Sequence, residues 1–229
     1  MAGWTLRRVG DSTLVVEFEQ VIDWVVSARA LGVGDRVRRE LHPGVRDVVE
    51  GYCSVTVAFD PLRTDVGRLS AALVDAAEHA RRFKKDAHEI TLPVCYGGRF
   101  GPDLEEVAEF AGCTEADVVT IHSASTYRVY MLGFLPGFAY MGSVTEQIAS
   151  PRRQTPRVRV PAGSVGIAGR QTGVYPLEAP GGWQVIGRCP VKIFRPERTD
   201  PFLLHAGDVV RFLPVDESEY VRAEGVAVS

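Results

Sequence analysis

The sequence predicts a small α+β N-terminal domain followed by a mostly-β domain, a barrel or a sandwich. Three observations carry this reading. The first 83 residues give two strand-like runs and a helical run, twice over. A charged stretch, FKKDAHE, then interrupts the apolar patterning. Beyond residue 125, glycine and proline punctuate short β-like runs, and helical periodicity almost vanishes. The expected domains are 1–83 and 84–229.

Residues 4–9 (WTLRRV) and 13–18 (TLVVEF) form a predicted hairpin around the turn pair Gly10-Asp11. From Asp23 the spacing becomes helical, with Val25, Val26, Ala30, Val33, Val37 and Leu41 on one side and His42-Pro43-Gly44 as the stop. Gly32 and Gly34 weaken that helix and allow a break. Val45–Val49 and Cys53–Phe59 are predicted strands around Glu50-Gly51, the second alternating Val55, Val57 and Phe59 on one face. Residues 65–83 place Val66, Leu69, Leu73, Ala76, Ala77, Ala80 and Phe83 at amphipathic helical spacing. The order ββαββα closes as two packed layers.

The second domain opens with the strand EITLPVCY. A helix then starts at Pro102-Asp103 and ends at Gly112, and Thr114 caps another that runs to about His122. The runs TYRVYML, RVRVPAG, SVGIAG, WQVIG, VKIF and DVVRFLPV follow as short strands. Gly163, Gly166 and Gly169 recur every third residue with no Lys-Ser or Lys-Thr after them, so they predict tight β turns and not a phosphate loop.

Charge and composition exclude several function classes. The formal net charge is −3, from 26 basic and 29 acidic side chains, so no global field recruits nucleic acid or a membrane surface. Cys53, Cys95, Cys113 and Cys189 are widely spaced without a CxxC pair, which predicts reduced thiols and no metal site. No apolar run approaches the roughly 18 residues of a membrane span, and a soluble, cytoplasmic protein is expected.

Chemistry concentrates in the barrel region. Between Glu146 and Glu178 there is no acidic residue, yet Arg152, Arg153, Arg157, Arg159 and Arg170 fall inside. Such a segment can hold a carboxylate, a phosphate or an acidic partner, or form a solvated face with surface ion pairs. His122, beside Ser123, Ser125 and Thr126 at a helix end, is either a packed residue or a proton carrier. Gln171, Tyr175, Pro176 and Trp183 stand near the glycine pair Gly181-Gly182 and suit a pocket rim, although Trp183 also suits a core. In MLGFLPGFAYMG, Gly133, Pro136 and Gly137 predict a turn that presents Phe134 and Phe138 either to the barrel core or to that rim. No Gly-x-Ser-x-Gly elbow or HExxH motif occurs, which favours a site shared with a second protein.

GFLPGFAYMG, followed by SPRRQTPRVRVPAGSVGIAGRQTGVYPLEAPGGWQVIGR, resembles the family of 5-oxoprolinase B subunits. That family includes allophanate hydrolase subunit 1 proteins and the sporulation kinase inhibitor KipI. The resemblance extends from PVCYGG at residue 93 to RPERTDPFLLHAGDVVRFLPV at 215, and more weakly to PGVRDVVEGYCSVTVAFDP in the first domain. It implies a cyclophilin-like barrel for the second domain and a homologous partner, the 5-oxoprolinase C subunit.

The resemblance further implies one component of an ATP-dependent 5-oxoprolinase that opens 5-oxo-L-proline to L-glutamate together with the A and C subunits. ATP is used by the complex, the chain is expected to be inactive alone, and no metal is implied. On that model His122 shuttles a proton, while Arg152, Arg153 and Arg159, with Phe134, Pro136, Phe138, Gln171, Tyr175, Pro176 and Trp183, bind the substrate. Related regions of urea carboxylases form a carboxyltransferase domain around biotin and urea, so an amidohydrolase of the urea carboxylase/allophanate type is the alternative. A KipI-like role, inhibiting a histidine kinase, is the other.

Overall fold

The computed structural model describes residues 3–40, 42–80 and 87–224. It divides into two compact units, Met1–Asp86 and Ala87–Ser229.

The first unit runs β1 (Trp4–Val9), β2 (Thr13–Phe18), α1 (Trp24–Glu40), β3 (Val45–Glu50), β4 (Ser54–Phe59) and α2 (Val66–His79). Its strands form an antiparallel sheet in the order β1-β2-β4-β3. Strict alternation buries Leu14, Val16 and Phe18 on β2 and Val55, Val57 and Phe59 on β4. Leu69, Leu73, Ala76 and Ala77 of α2 and Ala30, Val33 and Val37 of α1 join the same core. Asp65 caps α2 by accepting the Arg68 N–H at 3.0 Å.

No break occurs in α1 at Gly32 or Gly34. A Cβ at Gly34 would lie 2.1 Å from Glu50 Oε1, so the glycine gives room for the Glu50 carboxylate, which is bound by Arg38 of the same helix. Tertiary packing here outweighs the low helix propensity of glycine. The parts of the two predicted helices at Leu41 and Phe83, and the linker over 83–86, lie outside the described residues.

The second unit runs β5 (Glu89–Tyr96), α3 (Leu104–Ala111), α4 (Glu115–Ala124), β6 (Thr126–Leu132), β7 (Ala139–Gly142), β8 (Arg157–Val160), β9 (Ser164–Ala168), β10 (Gln171–Val174), β11 (Ala179–Gly181), β12 (Gln184–Arg188), β13 (Val209–Pro214) and α5 (Glu217–Ala223). Seven strands close into a barrel in the order β10-β7-β6-β13-β5-β12-β9, while β8 and β11 pair separately. The one parallel pairing among the described residues joins β13 to β5. Val94, Tyr127, Val129, Met141, Val165, Ile167 and Ile186 are all fully buried in its core.

Several elements differ from expectation. VKIF is not a strand and contributes only an isolated bridge, Phe194 to Phe202. Strands β7, β10 and β11 arise where none was predicted, because runs of three or four residues are too short to show alternation. Helix α5 forms near the C-terminus through a reciprocal capping box between Asp216 and Glu219. Gly163 and Gly169 sit in turns at positive φ, but Gly166 lies inside β9, where a Cβ would come 3.1 Å from Trp183 Cβ.

Candidate functional site

The β6–β7 connection is a turn locked by its own backbone. Gly133 N–H donates to Phe138 O at 3.1 Å, Leu135 N–H to Gly133 O at 2.8 Å, and Phe138 N–H to Leu135 O at 3.0 Å. Gly137 takes φ 82°, and a Cβ there would stand 3.1 Å from Phe194 Cβ. Phe134 holds φ 66°, a left-handed conformation that costs a bulky residue roughly 1–3 kcal/mol. The result is one ring turned outward and one inward: Phe134 is 61% exposed and Phe138 1%.

These two rings border an open cavity of about 220 Å³ lined also by Tyr140, Arg152, Tyr175 and Trp183. Phe138 is its hub, meeting Tyr175 at 5.1 Å and 80° and Trp183 at 5.3 Å and 88°, both edge to face. Glycines make the close packing possible. A Cβ at Gly173 would sit 3.2 Å from both Phe138 Cζ and Trp183 Cζ3, and one at Gly181 would sit 2.3 Å from the Tyr175 hydroxyl. Burial raises the pKa of Tyr140 and Tyr175, with the Arg152 charge opposing it, so both phenols keep their protons at neutral pH.

Arg152 is exposed and makes no ion pair among the described residues. Its neighbours in sequence are differently placed. Asp103, 1% exposed at its side chain, receives Arg157 through two bonds of 2.6 and 2.5 Å, Arg153 at 2.7 Å, and the Val185 N–H at 2.6 Å. Arg153 also reaches Glu106 at 2.9 Å, and Arg159 pairs with Glu178 at 2.8 Å. Asp103 stands at the start of α3, as the sequence suggests, but makes no side-chain cap bond. Its carboxylate instead anchors the arginine-rich segment to the barrel.

His122 is fully buried in the barrel and stacks on Phe212 at 4.7 Å. Burial pushes its pKa down to about 3, so the ring is neutral. Thr172 Oγ1 donates to Gly166 O at 3.0 Å, which leaves it to accept from His122 Nε2–H, also at 3.0 Å. His122 Nδ1 then accepts from the Tyr96 hydroxyl at 2.8 Å. The tautomer is fixed by this chain of partners.

Of the residues expected from sequence, the structure gathers Phe134, Phe138, Arg152, Tyr175 and Trp183 on the cavity. Pro136, Arg153, Arg159, Gln171, Pro176 and His122 lie off its lining. Tyr140 joins it without having been singled out, although it stands two residues from Phe138. Among the described residues no group of three or more His, Cys, Asp or Glu side chains could hold a metal ion. No helix there is long and apolar enough to cross a membrane.

Comparison with known proteins adds to this geometry. The family model described as carboxyltransferase domain, subdomain C and D, matches residues 4–204. The chain is 38% identical to the 5-oxoprolinase B subunit of Bacillus subtilis (strain 168), over 95% of both chains. It is 50% identical to the 5-oxoprolinase B subunit of Haemophilus influenzae, over 73% of this chain and 78% of that one. The crystal structure of TTHA0988 superimposes with a TM-score of 0.81 at 36% identity, covering 93% of this chain. This chain spans 40% of the length of that protein. The chain thus belongs to the family of carboxyltransferase domain subdomains C and D that contains the 5-oxoprolinase B subunits.

Proposed function

We propose that the chain is the B subunit of an ATP-dependent 5-oxoprolinase, opening 5-oxo-L-proline to L-glutamate together with the A and C subunits. The observation that carries this reading is an aromatic cavity faced by one guanidinium without a carboxylate partner. A five-membered lactam offers a flat apolar ring and one carboxylate. The rings of Phe138, Tyr175 and Trp183 suit the former, and the Arg152 fork suits the latter.

The lining also supports a composite site. It carries no carboxylate, imidazole, thiol or amine, so it can bind and orient a lactam but offers no base or nucleophile to open it. Amide resonance makes that opening difficult without activation of the carbonyl. A nucleoside triphosphate does not fit here, because a single guanidinium faces several negative charges; nucleotide use is therefore assigned to the complex. Within the complex, this chain holds the ring and its carboxylate while groups from the partners supply the chemistry.

The test is glutamate release from 5-oxoproline and ATP by the chain alone and with the A and C subunits. Turnover is expected only from the assembled complex. Strong turnover by the isolated chain would overturn the composite site, and no turnover by the assembly would overturn the substrate.

A further inference from the structure

A second cavity of the barrel unit, about 480 Å³, lies beside the bridged segment that joins Ile193 to Leu203. That segment is held as a closed turn: Leu203 N–H donates to Ile193 O at 3.0 Å, Arg195 N–H to Pro201 O at 2.7 Å, and Arg198 N–H to Arg195 O at 3.1 Å. The Phe194 and Phe202 rings stack at 5.6 Å across it, with Gly137 against them. The turn thereby presents Arg195 and Arg198 to the cavity, and Lys192 joins them from the preceding run.

The charge of this cavity is unbalanced. Lys192, Arg195 and Arg198 make no ion pair among the described residues, and Asp200 is the one carboxylate on the lining. Asp200 is itself engaged, 3.2 Å from His205 Nε2. Behind the wall, Asp208 is 1% exposed at its side chain and takes the His205 backbone N–H at 2.7 Å. It lies 3.5 Å from His88 Nδ1 and 3.8 Å from His205 Nδ1, which places a buried carboxyl group behind both imidazoles that line the cavity. Three fixed cations with two imidazoles match a tetrahedral polyanion better than a carboxylate, which one guanidinium can satisfy. Ile90, Ile193 and Phe202 supply an apolar wall for an organic body.

We propose that this cavity is a binding site for a small molecule bearing a phosphate group, held by Lys192, Arg195 and Arg198. The site stands on its own geometry and is independent of the lactam reading. Titration calorimetry of the full chain with inorganic phosphate and with phenyl phosphate tests it. Saturable binding of at least one is expected, weakened about tenfold or more in the Arg195→Gln/Arg198→Gln double variant. Arg152→Gln, in the other cavity, should leave this binding intact, which separates the two sites. Tighter binding of phenyl phosphate than of inorganic phosphate assigns the apolar wall to an organic ester; equal binding assigns the site to the phosphate alone. Circular dichroism of the double variant checks that its fold persists. No saturable binding of either probe, or equal binding by the folded double variant, would overturn the proposal.

Discussion

His122 Nε2 lies 3.0 Å from Thr172 Oγ1, and that hydroxyl is itself committed to Gly166 O, so the imidazole is locked as a neutral donor inside the barrel. The lock has a measurable pH signature. A histidine buried neutral takes up its proton only on unfolding. The unfolded chain therefore binds the extra proton between the ordinary value of 6.5 and the folded value of about 3. Stability is full above that window and declines as pH falls through it, by on the order of 5 kcal/mol at most. Urea melts across the window should show this slope, and His122→Gln should flatten it; an unchanged slope would remove His122 as its source.

Arg152 is expected to set affinity for a carboxylate ligand. A hydrogen bond to a charged group is worth about 1.5–3 kcal/mol against about 0.5–1.5 kcal/mol for a neutral one, and the second bond of the guanidinium fork is lost as well. Arg152→Gln should then raise the KM of the assembled complex for 5-oxoproline by about tenfold or more, with kcat much less affected. A KM equal to that of the unaltered complex would move the carboxylate to another residue.

Gly181→Ala probes the cavity without touching its charge. The added methyl would fall 2.3 Å from the Tyr175 hydroxyl, whose ring is wedged against Phe138 at 5.1 Å. Tyr175, 1% exposed, must give way, so ligand affinity should fall and the overpacking should lower the thermal midpoint, at a cost of about 1–3 kcal/mol. Unaltered affinity would show that ligand does not occupy the space beside Tyr175.

Asp103 is predicted to be the costliest single carboxylate to remove. Asp103→Ala leaves Arg153 and Arg157 half-buried without their shared partner, a change worth about 3–5 kcal/mol for a buried pair. The denaturation midpoint should drop with its m-value unchanged. A loss below about 1 kcal/mol would mean that the arginines find solvent or Glu106 instead.

Much of the fold was legible in the sequence where periodicity was long enough to register. Strand β4 alternates over six residues and α2 repeats its apolar positions over fourteen, so both were readable. Strand β10 has four residues with Gly173 among them, too few for any pattern. The cavity was half legible for the same reason. Aromatics and glycines mark its rim, but Asp103 is 54 positions from Arg157, and only the fold reveals that it occupies two of the five clustered arginines. Charge counted along a chain cannot tell a paired guanidinium from a free one. The Arg195 and Arg198 turn gave no signal, because its cations become a cluster only when the Phe194–Phe202 bridge closes the loop.

The parallel pairing of β13 with β5 has a consequence for how the protein is made. The barrel's first strand pairs with β12 only around Tyr96, and along its length with the last strand, Val209 opposite Glu89 and Pro214 opposite Val94. During synthesis the nascent barrel must wait, its seam open, until β13 has left the ribosome. The sheet of the first unit needs nothing beyond Phe59 and can form long before. Such a high-contact-order closure is slow and leaves strand edges exposed in the interval. Ribosome stalling upstream of β13 is the point at which this chain is most open to aggregation.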